Sequence, residues 1–303
     1  PYLVMFSLLI TCFLSSFLGK FIKSIVNIRL AFSKSINDYF AYLEMTWHFD
    51  SPKLFKTLYF NFRVCNFKQA FVCPIYIYGK TKIWSLQGHA IFDSKKIKPG
   101  LVKWGYDWGY RSNGITIIRL EGSIYFKGSC LIAKASDIAV FSKAKLILGE
   151  DGNILENCII YCSNLISIGN NFSFTFQSSM MDTDFHYIVD VDRERVAKNS
   201  FPIYIGDNVW VGNRATIKKG VIIPDNTIIA ASYSVLTKDY SKIPPYSILG
   251  GCPAKVIASG YSRIWKNELE NTSFFDKYFS DNPDVMFFNI KKGKSFNYIY
   301  ECK

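Results

Sequence analysis

The chain has 303 residues, of which 49% are hydrophobic and 17% aromatic, enough for one large domain or two modest ones around a real core. Its 36 Lys and Arg outnumber 24 Asp and Glu, and the resulting +12 points either to an anionic partner or to simple solubility. No recognisable nucleic-acid-binding module accompanies that charge, so nucleic acid is not an expected partner. The eight cysteines contain no C-x-x-C pair and no dense framework, which excludes a disulfide-stapled scaffold and is expected of reduced thiols in the cytoplasm. Cys158 and Cys162, four apart, read as small packing residues.

The opening run PYLVMFSLLITCFLSSFLG carries no charge before Lys20. It is long enough for a membrane span, and it has no basic n-region or A-x-A site to mark a signal peptide. The segment behind it, KFIKSIVNIRLAFSK, mixes cations with aliphatics at helical spacing. Over residues 1–70, eight Lys or Arg (20, 23, 29, 34, 53, 56, 63, 68) face three acids (38, 44, 50). Two arrangements fit equally, a peripheral contact with the inner face of an anionic membrane or a helix packed on the body of the protein, with a true membrane span behind them. Residues 39–76 are aromatic and show no repeat. We expect residues 1–74 to form a helical and irregular cap, because the open end of a stacked coil needs its apolar interior and strand edge covered.

Six-residue spacing begins at Ile77 and Ile83, then Ile91 and Ile97. Leu101–Asn113 interrupts it with aromatic and glycine residues and reads as a surface excursion. Leu120, Phe126, Ile132 and Ile138 resume the spacing, followed after a slip by Leu148, Ile154, Ile160 and Ile166. Residues 179–202 (SMMDTDFHYIVDVDRERVAKNSFP) break the period and carry eight formal charges. They read as a loop out of a regular scaffold, where function often resides.

The ladder then returns as Ile205, Val211, Ile217, Ile223, Ile229 and Val235, with small or β-branched Val209, Ala215, Val221 and Thr227 four places on. A period of six matches neither the 3.6 of a helix nor the 2 of a strand; it is one short strand and one turn per repeat. Gly206 and Gly212 directly follow an aliphatic, where the chain bends without a side chain in the way. Residues 75–260 are therefore expected to be an all-β parallel β-helix, three hexads to a triangular turn, with strands about 4.8 Å apart. After Ile257 the pattern stops. Residues 261–303 are expected to hold a short helix near 261–270 and an irregular C-terminal extension.

Three segments carry a family resemblance: Ile205-Gly206-Asp207-Asn208-Val209-Trp210-Val211-Gly212, Thr237-Lys238-Asp239, and Gly250-Gly251-Cys252-Pro253-Ala254-Lys255-Val256-Ile257. In order and spacing they resemble the hexapeptide-repeat acyltransferases, the sugar O-acetyltransferases in particular. The resemblance implies a left-handed coil, although ordinary crossovers are right-handed. It implies transfer of an acetyl group from acetyl-CoA to a hydroxyl of a sugar or surface polysaccharide, in clefts between the chains of a homotrimer. It also implies a catalytic histidine in the loop before the tryptophan, which here is His186. An imidazole titrates near ~6.5 and so accepts a proton at neutral pH.

Asp182 or Asp184, close by in the same loop, is expected to orient the His186 ring, unless either is simply solvated; the cofactor residues follow from the resemblance. Trp210, Asn213 and Ala231 line the pantetheine arm, and Thr237, Lys238 and Lys255 meet the phosphates or the adenine end. Each of these has a plainer reading as a packed aromatic or a solvated surface residue. IIAASYSVLTK carries an extra residue before Thr237-Lys238, which leaves the register of Ser232, Tyr233 and Thr237 open. Three other functions fit the coil: N-acetylation of an amino sugar, a non-catalytic scaffold, and a zinc carbonic anhydrase. The last needs three clustered histidines. His48, His89 and His186 are spread along the chain, so no metal is expected.

Overall fold

Six residues close one side of a triangle, and the aliphatic of each hexad turns into the middle. The computed structural model describes residues 51–108, 113–265 and 268–289. Its strands stack in three parallel sheets, each rung giving one strand to each face. The first face runs from Ile75–Ile77 to Ser247–Gly250, the second from Thr81–Leu86 to Val235–Leu236, and the third from His89–Phe92 to Ile222–Ile223. This is a parallel β-helix, as the period of six requires, and it agrees with the left-handed coil of the resembling family. All described residues fall in one compact unit.

The later rungs keep strict register. Ile205 pairs with Ile223 and Val211 with Ile229, three hexads apart in each case. Ile205, Val211, Ile217, Ile223 and Ile229 are buried, and Val209, Ala215, Val221 and Thr227 fill the corners beside them. Each fully buried aliphatic contributes about 1.5–3 kcal/mol, so the stacked column is the main source of stability. Cys158 and Cys162 also lie in this interior, and burial pushes the Cys158 thiol up to about 12.

One corner, between the third and first faces, is tied by a polar ladder. The Asn171 amide donates to Asn208 and the Asn208 amide to Asn226, both at 3.1 Å. The Asp225 carboxylate accepts from the Asp207 backbone at 2.8 Å, and Asp207 accepts from Asn170 at 2.6 Å. Gly206 belongs here because a Cβ would run into Asp225 of the next rung.

Several expected positions move. The sixth ladder residue is Leu236, not Val235: Ile217 pairs with Leu236, nineteen residues on (217 to 236). The extra residue lies in the turn, where Ser232 and Tyr233 both take positive φ, 67° and 69°. The rungs below turn the same corner on one such residue, Gln177 or Arg214.

In the first rung Ile91 faces solvent, and its neighbours Ala90 and Phe92 point inward. Leu101–Asn113 is only partly an excursion. Val102–Tyr106 is a first-face strand with Val102 and Trp104 buried, a core strand whose aromatic content disguised it. Ser179–Met181 is still coil, with Met180 buried, so the loop begins after Met181 and ends at Ile203.

Helix α1 (Leu54–Val64) and helix α2 (Phe67–Val72) cover the first rung. The Asn61 side chain accepts from Ile75 N at 3.1 Å and donates to Ile75 O at 2.6 Å. Thr57 Oγ1 accepts from Ile77 N at 3.0 Å. These bonds satisfy an edge strand that would otherwise invite further pairing. Phe60 packs edge-on against Trp104 at 5.7 Å.

At the other end, Lys255–Ser259 pairs antiparallel with Ser247–Gly250. Helix α3 (Glu268–Asp281) starts later and runs longer than the helix expected near 261–270. Residues 1–50, with the apolar run and His48, lie outside the described residues. Among the described residues no helix is long and apolar enough to cross a membrane.

Candidate active site

The excursion leaves the corner between the second and third faces and is fixed at its base by backbone bonds. Phe201 N donates to Asp182 O at 3.0 Å, Asp184 N donates to Asn199 O at 2.9 Å, and Thr183 bridges Ser200. Beyond the base, Ile188–Asp190 and Arg195–Ala197 form an antiparallel hairpin. Its Ile188, Val189, Val191 and Val196 are all exposed.

His186 lies between base and hairpin. It is exposed, and among the described residues its ring has no hydrogen-bond partner. The residue before it, Phe185, has φ 59° and packs on Phe141 at 5.5 Å and Tyr161 at 6.0 Å. Tyr161 is itself tied down by donating to Asp137 at 2.8 Å. The ring cluster therefore anchors the backbone from which His186 projects.

The two aspartates have other partners. Asp182 is fully buried, and its carboxylate accepts from Ser163 N at 2.7 Å and Asn164 N at 2.8 Å. It closes the turn of the rung below. Asp184 pairs with Lys219 at 2.6 Å, both partly shielded. Lys219 also donates to Lys198 O at 3.0 Å and lies over the Phe201 ring. One ammonium thus grips both the outgoing and the returning strand of the loop. Neither carboxylate touches His186.

The other predicted residues spread over the upper rungs. Trp210 is a half-exposed first-face residue, and the Arg263 guanidinium lies between its ring and that of Trp265, at 5.3 and 4.6 Å. Asn213, Ala231, Ser232 and Tyr233 crowd the corner between the first and second faces, with Ser232 N donating to Asn213 O at 2.9 Å. Gly212 admits the close approach of Ala231 above it; a Cβ there would clash with the Ala231 backbone. Thr237 and Lys238 stand at the corner that bears the excursion, two rungs up, and Lys255 opens the antiparallel last strand. All of these side chains except Trp210 are freely exposed, and the lysines are available to anionic groups.

A whole face separates the two corners. Five residues of extended chain, 213 to 218, span roughly 15 Å. One chain does not bring His186 together with Asn213 and Ala231. Among the described residues no group of three or more His, Cys, Asp or Glu is placed to hold a metal ion.

No family model matches the chain. The galactoside O-acetyltransferase of Escherichia coli K12 is 37% identical over 119 residues, covering 32% of this chain and 55% of that protein. A chloramphenicol acetyltransferase of Morganella morganii is 45% identical over 58 residues, 19% of this chain and 26% of that one. Over these stretches the chain is similar to acetyltransferases of the hexapeptide-repeat family.

It spans about half the length of the first relative and a quarter of the second. A solved galactoside acetyltransferase in complex with coenzyme A is 24% identical and covers 55% of this chain and 65% of that one, with a TM-score of 0.32. The two relatives are named for different acceptors, so the likeness leaves the acceptor of this chain open. Sequence reasoning missed Lys219, Arg263 and the Phe141–Tyr161–Phe185 cluster. Lys219 was visible as an extra cation where the ladder runs Lys218-Lys219-Gly220. The ring cluster had no signal, because its members come from three separate rungs.

Proposed function

We propose that the protein transfers an acetyl group from acetyl-CoA to a hydroxyl of a carbohydrate, with His186 as general base. The observation that carries this reading is an exposed, unpartnered imidazole on a loop braced by Lys219 and by the Phe185 ring cluster. A histidine held in this way is pre-positioned for an incoming hydroxyl. Acetyl-CoA supplies the activated acyl group. The imidazole takes the hydroxyl proton as the oxygen bonds to the thioester carbonyl carbon. When the carbon–sulfur bond breaks, the proton returns from the imidazolium to the departing thiolate. A positioned base of this kind contributes about 10²–10⁴ in rate.

The separation of the two corners favours a site shared between chains. His186 of one chain would meet the corner of Asn213, Ala231 and Ser232 of a neighbour, with Thr237, Lys238 and Lys255 near the phosphates. The exposed aliphatics of the 188–197 hairpin give such a neighbour an apolar surface to cover. A closed ring of three chains is the assembly this reading expects.

The test is incubation with labelled acetyl-CoA and a panel of sugars, amino sugars, sugar nucleotides and surface glycans. Label in an alkali-labile ester supports the proposal. Label in an amide turns it to N-acetylation, and no coenzyme A binding by calorimetry turns it to a scaffold.

A further inference from the structure

Helix α1 has two apolar faces, and the cap needs only one. Thr57, Phe60, Asn61 and Val64 face the coil. On the opposite side Phe55, Tyr59 and Phe62 recur at i, i+4 and i+7, all exposed. Helix α2 extends this outer stripe with Phe67, 72% exposed, and Phe71. The rings form one cluster: Phe62 lies 5.1 Å from Phe71 and 6.4 Å from Phe67, and Phe67 lies 4.9 Å from Phe71. Five exposed aromatics on two adjoining short helices form a contiguous patch of the kind that marks a contact surface.

The segment that carries the patch, from residue 51 to residue 92, has charge of one sign. Residues 51–92 contain Lys53, Lys56, Arg63, Lys68, Lys80 and Lys82 and no Asp or Glu. Among the described residues none of the six has an acidic partner. Arg63 borders the aromatic stripe on α1 itself, whereas the Lys56 ammonium donates to Thr81 O at 2.6 Å.

We propose that the outer face of α1 and α2 docks the protein on an anionic phospholipid bilayer. Aromatic rings enter the boundary between headgroups and acyl chains, while the surrounding cations meet lipid phosphates. A second copy of this chain is the poorer occupant, because pairing the same face would set these cations against each other. The proposal is independent of the acetyl transfer argued above, and it gives the coil an orientation. The excursion follows the fifth rung, four spacings of about 4.8 Å from the first, so His186 would stand about 19 Å above the capped end. That height suits an acceptor that projects from the membrane.

The experiment uses the full chain and vesicles of phosphatidylcholine, with or without a third phosphatidylglycerol, read by co-sedimentation. Two triple variants accompany it, Phe62→Ser/Phe67→Ser/Phe71→Ser and Lys53→Glu/Arg63→Glu/Lys68→Glu. Thermal unfolding checks that both fold. The expected result is at least tenfold stronger partition onto the anionic vesicles, weakening as salt shortens the screening length. Each variant should lose about tenfold or more, at one-third phosphatidylglycerol. The proposal is overturned if the wild type does not partition, or if both variants partition as it does, which would place lipid binding outside this patch. It is equally overturned if the ring variant changes the oligomeric mass and leaves partition intact, since a second copy would then be the occupant.

Discussion

Lys219 reaches across from the rung above the excursion and pairs with Asp184 at 2.6 Å, two residues before the exposed imidazole. The same ammonium holds Lys198 O on the returning strand. The pair is partly shielded, so salt screens it less than a fully exposed one. Its role follows from position: it fixes the loop, not the proton. Lys219→Met should leave the coil folded and raise amide exchange throughout 183–201. Acetyl transfer should fall several-fold in kcat, and Lys219→Arg should restore most of it. Unchanged exchange in the Met variant would remove Lys219 from this role.

Asp182 does structural work where an orienting role was expected. Its carboxylate satisfies two backbone donors of the turn at Ser163 and Asn164. Asp182→Ala leaves both N–H groups buried and unpaired, which costs about 1–3 kcal/mol for each. A drop of several degrees in the unfolding midpoint is expected, with little change in the pH profile of transfer.

Burial also raises the Asp182 carboxyl above its ordinary value, against the pull of the Ser163 and Asn164 donors. The folded state then binds this proton more readily than the unfolded chain. Its contribution to stability is therefore complete below the unfolded value of ~3.9 and is lost as pH rises through the folded one. Urea midpoints of wild type and Asp182→Asn, compared from pH 3.5 upward, should show a shallower decline in the variant, in which the Asp137 and Glu156 carboxyls, also raised by burial, still contribute.

The inserted residue at the first–second corner makes a separate prediction. Ser232 and Tyr233 are consecutive non-glycine residues at positive φ. Each left-handed residue of this type costs roughly 1 kcal/mol. Ser232→Gly relieves that cost and should raise the urea midpoint by the equivalent of about 0.5–1 kcal/mol. Tyr233→Gly should gain less, because it also loses the contact of the Tyr233 ring with Arg214 at 5.9 Å.

Much of the coil was legible because its period is unlike any other. The aliphatics from Leu120 to Ile166 and from Ile205 to Ile229 are buried as the six-residue spacing requires. The reading slipped where backbone conformation, not composition, sets the register. Val235 gave way to Leu236 because two left-handed residues lengthen the turn. Ile91 yielded to Ala90 and Phe92 because a single inward position is decided by its neighbours across rungs. The place of Asp182 in the turn is not legible in the sequence, because its partners lie eighteen and nineteen residues back, on another rung. His186 is a candidate only by the resemblance, through its place before Trp210, and its exposure is visible only in three dimensions.

Acetyl transfer by His186→Ala, measured with saturating acetyl-CoA and the acceptor identified from the panel, tests the central claim most directly. The imidazole is exposed and holds nothing together, so the variant should unfold at the wild-type temperature. The expected result is a fall in kcat of about 10²–10⁴. A folded variant that transfers acetyl groups at the wild-type rate would contradict it.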